Sequence, residues 1–519
     1  MSIPTAQSAP VQRNHIIQEE QSYNTSTLAQ EAFNSKNALN PEQLTVYDTV
    51  IEAIENKSAA SFFVDRPGGT GKTFLYSVLL AKVRSDGHIA LAVASSGIAA
   101  LLLSGGRTAH SRFKIPINLD ERSTCSISHS SELARLLQLT ALIIWDEAPM
   151  MIRYGIEALD RTLRDIMKAI DSALEHVPFG GKVIVFGGDF RQVLPVVPKG
   201  GREDIVKVCF QRSYLWQHVQ KMSLKTNMRL LQNANAINAL EQQEFAEWLL
   251  ELGEGKLPVV ESDTDIVRLP DDIVLPSENV QDLIDFVYAD VATQHATPDY
   301  LVNRAILAPR NEDVDLINEA VMNAFPGEAK TYLSSNSLDL DAGDEQAQLY
   351  PVEFLESLNV GGLPPHKLTL KIGAPIMLLR NLNPAKGLCN GTRLIVCQFQ
   401  QHVIHAKIIT GTHAGSYVFI PRITLSPSNV DLPFTLKRRQ FPVRPAFALT
   451  INKAQGQTLK CVGLFLPTPV FSHGQLYVAF SRVTSKDQLR VLIQRRPEEP
   501  PIYRGCTRNV VYHEVFHSL

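Results

Sequence analysis

The stretch FFVDRPGGTGKTFLY, Phe62 to Tyr76, decides how the chain folds. Ser61 to Val64 reads as a short buried strand, and the glycines after it as a tight turn. Phe74, Leu75, Val78, Leu79 and Val83 then form the apolar stripe of a helix that begins near Thr73. A strand, a Gly-rich turn and a helix N-terminus in succession aim backbone N–H groups at one point, where a phosphate can sit. Gly68, Gly69, Thr70 and Gly71 would line that point, Lys72 would reach the β- and γ-phosphates, and the Thr73 hydroxyl would bind Mg2+. The full spacing G-x-x-x-x-G-K-[ST] asks for glycine at position 66, and the chain has Arg66. If φ is positive there, arginine costs about 1–2 kcal/mol. That would weaken nucleotide binding roughly tenfold or a little more, with Lys72 and Thr73 untouched. Taken alone, the motif also fits a Gly-rich strand–helix turn without a ligand.

A second motif favours the nucleotide. In LIIWDEAPM, Leu142 to Met150, a wholly apolar strand ends in Asp146 and Glu147. Two carboxylates at the carboxyl end of a strand lie where open α/β sheets bind ligands. Asp146 would hold Mg2+, directly or through water, and Glu147 would polarise an attacking water as general base. An acidic pair in an exposed loop is the plainer reading, and the apolar strand before it argues against that. A third run, VIVFGGDFRQVLPV, Val183 to Val196, is another buried strand followed by polar groups, among them Gln192 as a candidate γ-phosphate sensor. ATP and Mg2+ are the expected cofactors.

The rest of the chain sets the frame. At 519 residues it is too long for one core, and two to four domains are expected. It is 45% hydrophobic and 20% charged with a formal net charge of -3, so no bulk basic character announces a coating protein. No apolar run approaches the roughly 18 residues of a membrane span. Six cysteines without a C-x-x-C pair read as free thiols. Residues 1–37 are polar and read as a disordered leader. SFFV, IALAVA, ALIIW and KVIVFGG suit the centre of a parallel sheet, and RAILAP, APIMLL, FALTI and CVGLFL form a second such set. Between Asn390 and Pro445, alternating stretches separated by Gly, Asn and Pro suggest short antiparallel strands of a small barrel.

The ordered series NPEQ, GGTGKT, WDEAPM, GGDFRQ, INKAQGQTL and GQLYVAFSRVT resembles superfamily 1 DNA helicases of the petite integration frequency (Pif) family, most of all its Helitron-encoded branch. The likeness runs from about residue 38 to the C-terminus. It implies an α/β fold of two RecA-like P-loop NTPase domains with parallel sheets, the second carrying an inserted Src-homology-3-like β-barrel. The expected division is 1–37 leader, 38–232 first RecA-like domain with a strand-separation insert near 112–133, and 233–300 helical connector. Residues 301–389 with 446–519 would form the second RecA-like domain, and 390–445 the barrel.

The resemblance also implies roles for single residues. Gln43 would recognise adenine, although Asn-Pro-Glu-Gln is equally a plain helix start. Arg229 and Arg482 would reach the γ-phosphate, for which the guanidinium fork is suited. Gly456 would lie at the nucleotide. Lys453, Gln455 and Thr458 would line the interdomain cleft or touch single-stranded DNA, which His110 and Ser111 would also face. Lys437, Arg438 and Arg439 form a basic run that is either a solvated surface or a further DNA contact. The implied activity is ATP-driven 5′ to 3′ translocation on single-stranded DNA with unwinding of forked DNA, by a monomer. Nuclear residence, with the mitochondrion as second address, and work in DNA repair, recombination and telomere maintenance come with it. The alternative is a catalytically weakened, transposon-derived protein that binds single-stranded DNA.

Overall fold

The computed structural model describes residues 14–65, 67–228, 236–261, 265–294, 298–339, 350–427, 434–494 and 504–516. The opening stretch folds as its pattern demands. Strand β1 (Ser61–Asp65) enters the turn, and helix α4 (Lys72–Ser85) leaves it. Before them lie α1 (His15–Gln21), α2 (Thr25–Lys36) and α3 (Pro41–Glu55). The first sheet adds β2 (Ile89–Ala94), β3 (Arg107–Thr108), β4 (Thr140–Asp146), β5 (Val183–Gly188) and β6 (Val219–Ser223). Its order is β3-β2-β4-β5-β1-β6, and every pair in it is parallel. With all strands running one way, the ends of β1, β4 and β5 open on the same edge. That edge collects the phosphate loop, Asp146 and the Gly188–Gln192 turn.

The later strands are β7 (Ile266–Arg268), β8 (Arg304–Ala308), β9 (Ala329–Leu333), β10 (Ser335–Asp339), β11 (Lys367–Lys371), β12 (Pro375–Leu378), β13 (Arg393–Phe399), β14 (Val403–Ile408) and β15 (Tyr417–Pro421). After them come β16 (Ile423–Leu425), β17 (Thr435–Gln440), β18 (Val443–Pro445), β19 (Ala448–Thr450), β20 (Cys461–Leu466), β21 (Leu489–Ile493) and β22 (Cys506–Arg508). A second parallel sheet has the order β19-β8-β20-β21. Between β8 and β19 the chain forms antiparallel sheets: β15-β14-β13-β12-β18, β10-β17-β16 and β11-β9. The two parallel sheets share one apolar core, in which Phe63, Trp145, Phe186, Phe190, Phe210 and Trp216 pack ring to ring.

Three expectations need correction. Residues 14–37 are not a disordered leader: α2 packs on α4, and α1 lies against the first sheet. Glu20 and Arg112 form a buried ion pair at 2.5 Å, Glu19 pairs with Arg107, and Arg84 sits over the Tyr23 ring. The run APIMLL is not a strand of the second parallel sheet. As β12 it pairs antiparallel with β13 and β18, because a short apolar run shows burial and not partner. The antiparallel region accordingly begins near Ala329, well before Asn390.

Candidate active site

Two glycines build the phosphate loop. Gly69 (φ 94°) and Gly71 (φ 76°) adopt the left-handed region, which a side chain would resist. Gly71 is the N-cap of α4, so the free N–H groups of that helix face the cleft beside it. Gln43 lies behind the loop: fully buried, it completes a capping box with Asn40 and donates Nε2 to Thr70 O at 2.9 Å. Its amide is thereby committed to the loop backbone.

The cleft encloses about 260 Å³ and draws its walls from both parallel sheets. From the first come Gly68, Gly69, Gly71, Lys72, Thr73, Asp146, Glu147 and Gln192; from the second come Gly456, Thr458 and Arg482. The Lys72 ammonium is paired with Asp146 Oδ1 and stands 3.8 Å from Glu147 Oε1. All three side chains are almost completely buried. Glu147 has φ 52°, a strained position for a residue with a Cβ, and its N–H donates to Asp146 Oδ1 at 2.7 Å. Two amide oxygens, Gln192 Oε1 and Gln455 Oε1, are buried with no hydrogen-bond partner. Buried polar atoms left unmet mark a place where a ligand or water belongs.

The expected γ-phosphate arginines fare differently. Arg482 is buried at the cleft, where its guanidinium donates to the carbonyls of Val478, Ala454 and Gln457. Arg229 and Arg66 lie outside the described residues. Of the expected DNA contacts, His110 and Ser111 are exposed on the short helix Ala109–Phe113. Lys453 is half-buried, and burial pulls its ammonium down to about 8. Gln455 reaches into the nucleotide site, with Nε2 3.5 Å from Glu147 Oε2, and Thr458 lines the cleft. Lys437 and Arg439 point to the outer face of β17. Arg438 does not: it is 1% exposed and donates to Asn336 Oδ1 and to the carbonyls of Pro364, Leu355 and Leu358. Strand alternation turns Arg438 inward with Leu436 and Gln440, so it is a structural cation and not a DNA contact.

Two residues that sequence reasoning passed over bind the halves together. Tyr477, on the helix Gln475–Phe480, donates to Asp189 Oδ2 at 2.8 Å and stands 3.5 Å from Gly68 N. His473 Nε2 is 2.7 Å from Phe190 O, while its Nδ1 accepts from Tyr512 N at 2.8 Å. The one available signal was their place inside or beside GQLYVAFSRVT.

The chain matches two family models, one described as PIF1-like helicase over residues 38–263 and one as DNA helicase Pif1, 2B domain, over residues 353–399. Together they cover more than half of it. It is 28% identical over 475 residues to the human ATP-dependent DNA helicase PIF1, a match covering 88% of this chain and 61% of that protein. The Pif1 helicase of Bdellovibrio bacteriovorus is 27% identical over 463 residues, covering 88% of each. This chain thus spans about three fifths of the length of the animal relatives. Among solved structures, a Bacteroides Pif1 helicase in complex with ADP-AlF3 and ssDNA aligns with TM-score 0.61 at 21% identity, over 91% of this chain and 99% of that one. Pif1 helicase from Candida albicans aligns with TM-score 0.57 at 23% identity, over 88% and 95%. These likenesses give the architecture as two RecA-like P-loop domains. The chain belongs to the PIF1-like helicase family.

Proposed function

We propose that the chain is an ATP-dependent DNA helicase that moves 5′ to 3′ along single-stranded DNA and opens forked duplexes, acting as a monomer. One observation carries the reading: the phosphate loop and the Asp146–Glu147 pair of one sheet share a cleft with Gly456, Thr458 and Arg482 of the other. The relatives named as DNA helicases support it.

The residues fit Mg2+ and ATP. The loop offers backbone donors beside two left-handed glycines, Lys72 offers a cation, and two buried amide oxygens lack partners. Thr73 and Asp146 would hold the metal, and Gly68 to Thr73 the phosphates. Bound nucleotide would supply the phosphoanhydride whose hydrolysis drives the cycle. Lys72 would leave Asp146 and place its charge on phosphate oxygens. Glu147 would take a proton from water at a carboxylate oxygen, held in aim by Gln455. Arg482 would offer charge from the second sheet, so that it meets the ligand only when the cleft is closed. His110, Ser111, Lys453, Lys437 and Arg439 would contact DNA phosphates. Residues 38–232 and 301–519 would act as the two moving halves, and the chain would work in the nucleus.

The test is ATP hydrolysis with and without single-stranded DNA, for the native chain and Lys72→Ala. Strong stimulation by DNA that disappears in Lys72→Ala is expected. Tight DNA binding without turnover would sink the motor and favour the weakened, transposon-derived protein. Turnover indifferent to DNA would sink the DNA reading.

A further inference from the structure

The antiparallel region carries a feature that the motor does not use. On β15, Tyr417 and Phe419 alternate with buried Val418 and Ile420, and each leaves 63% of its surface open to solvent. Across the ladder, Phe419 faces His405 and Tyr417 faces Lys407. The His405 ring stacks on Phe419 at 4.9 Å with an interplanar angle of 22°, and lies 5.4 Å from Tyr417. Lys407 Nζ stands 5.7 Å from the Tyr417 centroid. Cross-strand pairing accounts for aromatic residues on one face. It does not account for two rings left uncovered on an edge strand, where exposed apolar surface invites aggregation.

Charge says what would cover them. Between Glu356 and Asp487 the sequence holds one acidic residue, Asp431, against fifteen Lys and Arg, although the whole chain has a net charge of -3. Asp431 lies outside the described residues. The face therefore offers π-surfaces, a histidine and a lysine on a basic stretch of the chain. That combination matches bases and phosphates of a single strand. Spacing agrees. Residues two apart on a strand are about 6.8 Å apart, twice the ~3.4 Å rise per nucleotide of a stacked strand. Each ring can then take one base of a stretched strand.

We propose that Tyr417, Phe419, His405 and Lys407 form a second binding surface for single-stranded DNA, a stacking platform outside the motor cleft that reads no sequence. It goes beyond the motor reading, because it requires neither nucleotide nor hydrolysis.

The experiment measures affinity by fluorescence anisotropy for the full chain and for the double variant Tyr417→Ala/Phe419→Ala. Oligodeoxynucleotides of ~8 and ~30 nucleotides are compared, the shorter long enough for one site of the ~4–16-nucleotide size of a small β-barrel and the longer able to span the motor and the barrel together. For the longer strand, affinity should fall roughly tenfold or more, the worth of a lost stacked base. Affinity for the shorter strand and the DNA-saturated hydrolysis rate should stay native. Tyr417→Phe should restore the long-strand affinity, and Lys407→Gln should lower the salt slope by about 1. Oligonucleotides carrying 5-iodouracil should crosslink to the Tyr417–Pro421 peptide in the native chain. Unchanged affinity for the long strand, or a crosslink confined to other peptides, overturns the platform. So does a preference for RNA of the same sequence, or a dimer by sedimentation that the double variant dissolves. If the native chain binds neither strand, the motor proposal fails with it; if it binds both and the variant matches it, the platform alone fails.

Discussion

Gly474 is the glycine whose replacement should most directly separate folding from turnover. It caps the helix Gln475–Phe480 with φ 71°, and its N–H donates to Val510 O. A Cβ built there would stand 2.3 Å from Arg191 O and 2.7 Å from Gln192 C, backbone atoms of the other RecA-like half. Normal contact begins near 3.5 Å, so Gly474→Ala must push the two apart by about 1 Å. The Asp189–Gln192 turn cannot yield cheaply. Asp189 accepts from Arg191 N and from Tyr477, while the Arg191 side chain is tied to Asp189 and Glu254. Opening the interface instead moves Tyr477 off Asp189 and carries Arg482 away from Glu147. The left-handed backbone adds about 1–2 kcal/mol for a residue with a Cβ, a loss that a shared core of this size should survive.

A displacement of about 1 Å at a reacting site is worth roughly 100-fold in rate. Gly474→Ala should therefore lower kcat for ATP hydrolysis about 100-fold at saturating single-stranded DNA, with a cooperative unfolding transition retained. Gly361→Ala, where the added Cβ meets nothing within 4 Å, is the control. Hydrogen exchange at Gln192 N should accelerate in Gly474→Ala, since the bond to Asp189 O lies in the displaced turn. A native kcat in Gly474→Ala would refute the claim that this contact sets the geometry of the closed cleft.

Four further outcomes follow from the same contacts. His473, held by burial at about 4 against an ordinary 6.5, must stay neutral in the fold. The unfolded chain binds its proton first, so this contribution is full above pH 6.5 and is lost as pH falls towards 4; the gap in unfolding free energy between native chain and His473→Gln should shrink by about 3 kcal/mol across that window. Lys453, lowered to about 8 by burial, is charged below that pH and neutral above it, so single-stranded DNA affinity should drop as pH rises through 8, and Lys453→Arg should flatten the profile. Glu20→Ala strands Arg112 as a buried cation and should cost about 3–5 kcal/mol in denaturant unfolding, much of it regained in Glu20→Ala/Arg112→Leu. Arg438→Met should lower the unfolding midpoint yet leave the salt slope of DNA binding unchanged, whereas Arg439→Gln should reduce that slope by about 1.

Legibility followed the range of the interactions. The strands β1, β2, β4 and β5 could be read because a parallel strand covered on both faces must be apolar throughout. The phosphate loop could be read because its chemistry lies within a few consecutive residues. The helices of residues 15–36 could not. Their described buried residues are Glu20 and Ala32, so no apolar stripe betrays them. They are held by Arg107, Arg112 and Arg84, far along the chain. Arg438 carried a signal that a charge count hides: Leu436, Arg438 and Gln440 alternate with Lys437 and Arg439, and period two puts the first three inside. Gln43 shows the limit from the other side. Its helix-start role is complete in the structure, so its motif alone says nothing of adenine.

The nucleotide cleft and the antiparallel region meet on one short helix, α5 (Gly97–Leu101). Ala99, with Leu102 at its C-cap, lines the cleft. On the opposite side a Cβ at Gly97 would fall 2.5 Å from Asn390 O, one at Gly391 2.6 Å from Ile98 Cγ1, and one at Gly411 3.2 Å from Leu101 Cβ. Gly97 lets its backbone meet that of Asn390, while Gly391 and Gly411 leave room for the Ile98 and Leu101 side chains to pack directly on the chain. The helix is also tied to β4, since Ser95 N donates to Asp146 O and the Trp145 indole donates to Ser95 Oγ. A close-packed contact transmits displacement because it has no void to collapse into. Movement at the end of β4 must therefore reach Asn390 and the β14–β15 turn through five helical residues, and the strand pair bearing Tyr417 and Phe419 is the next rigid piece along that line.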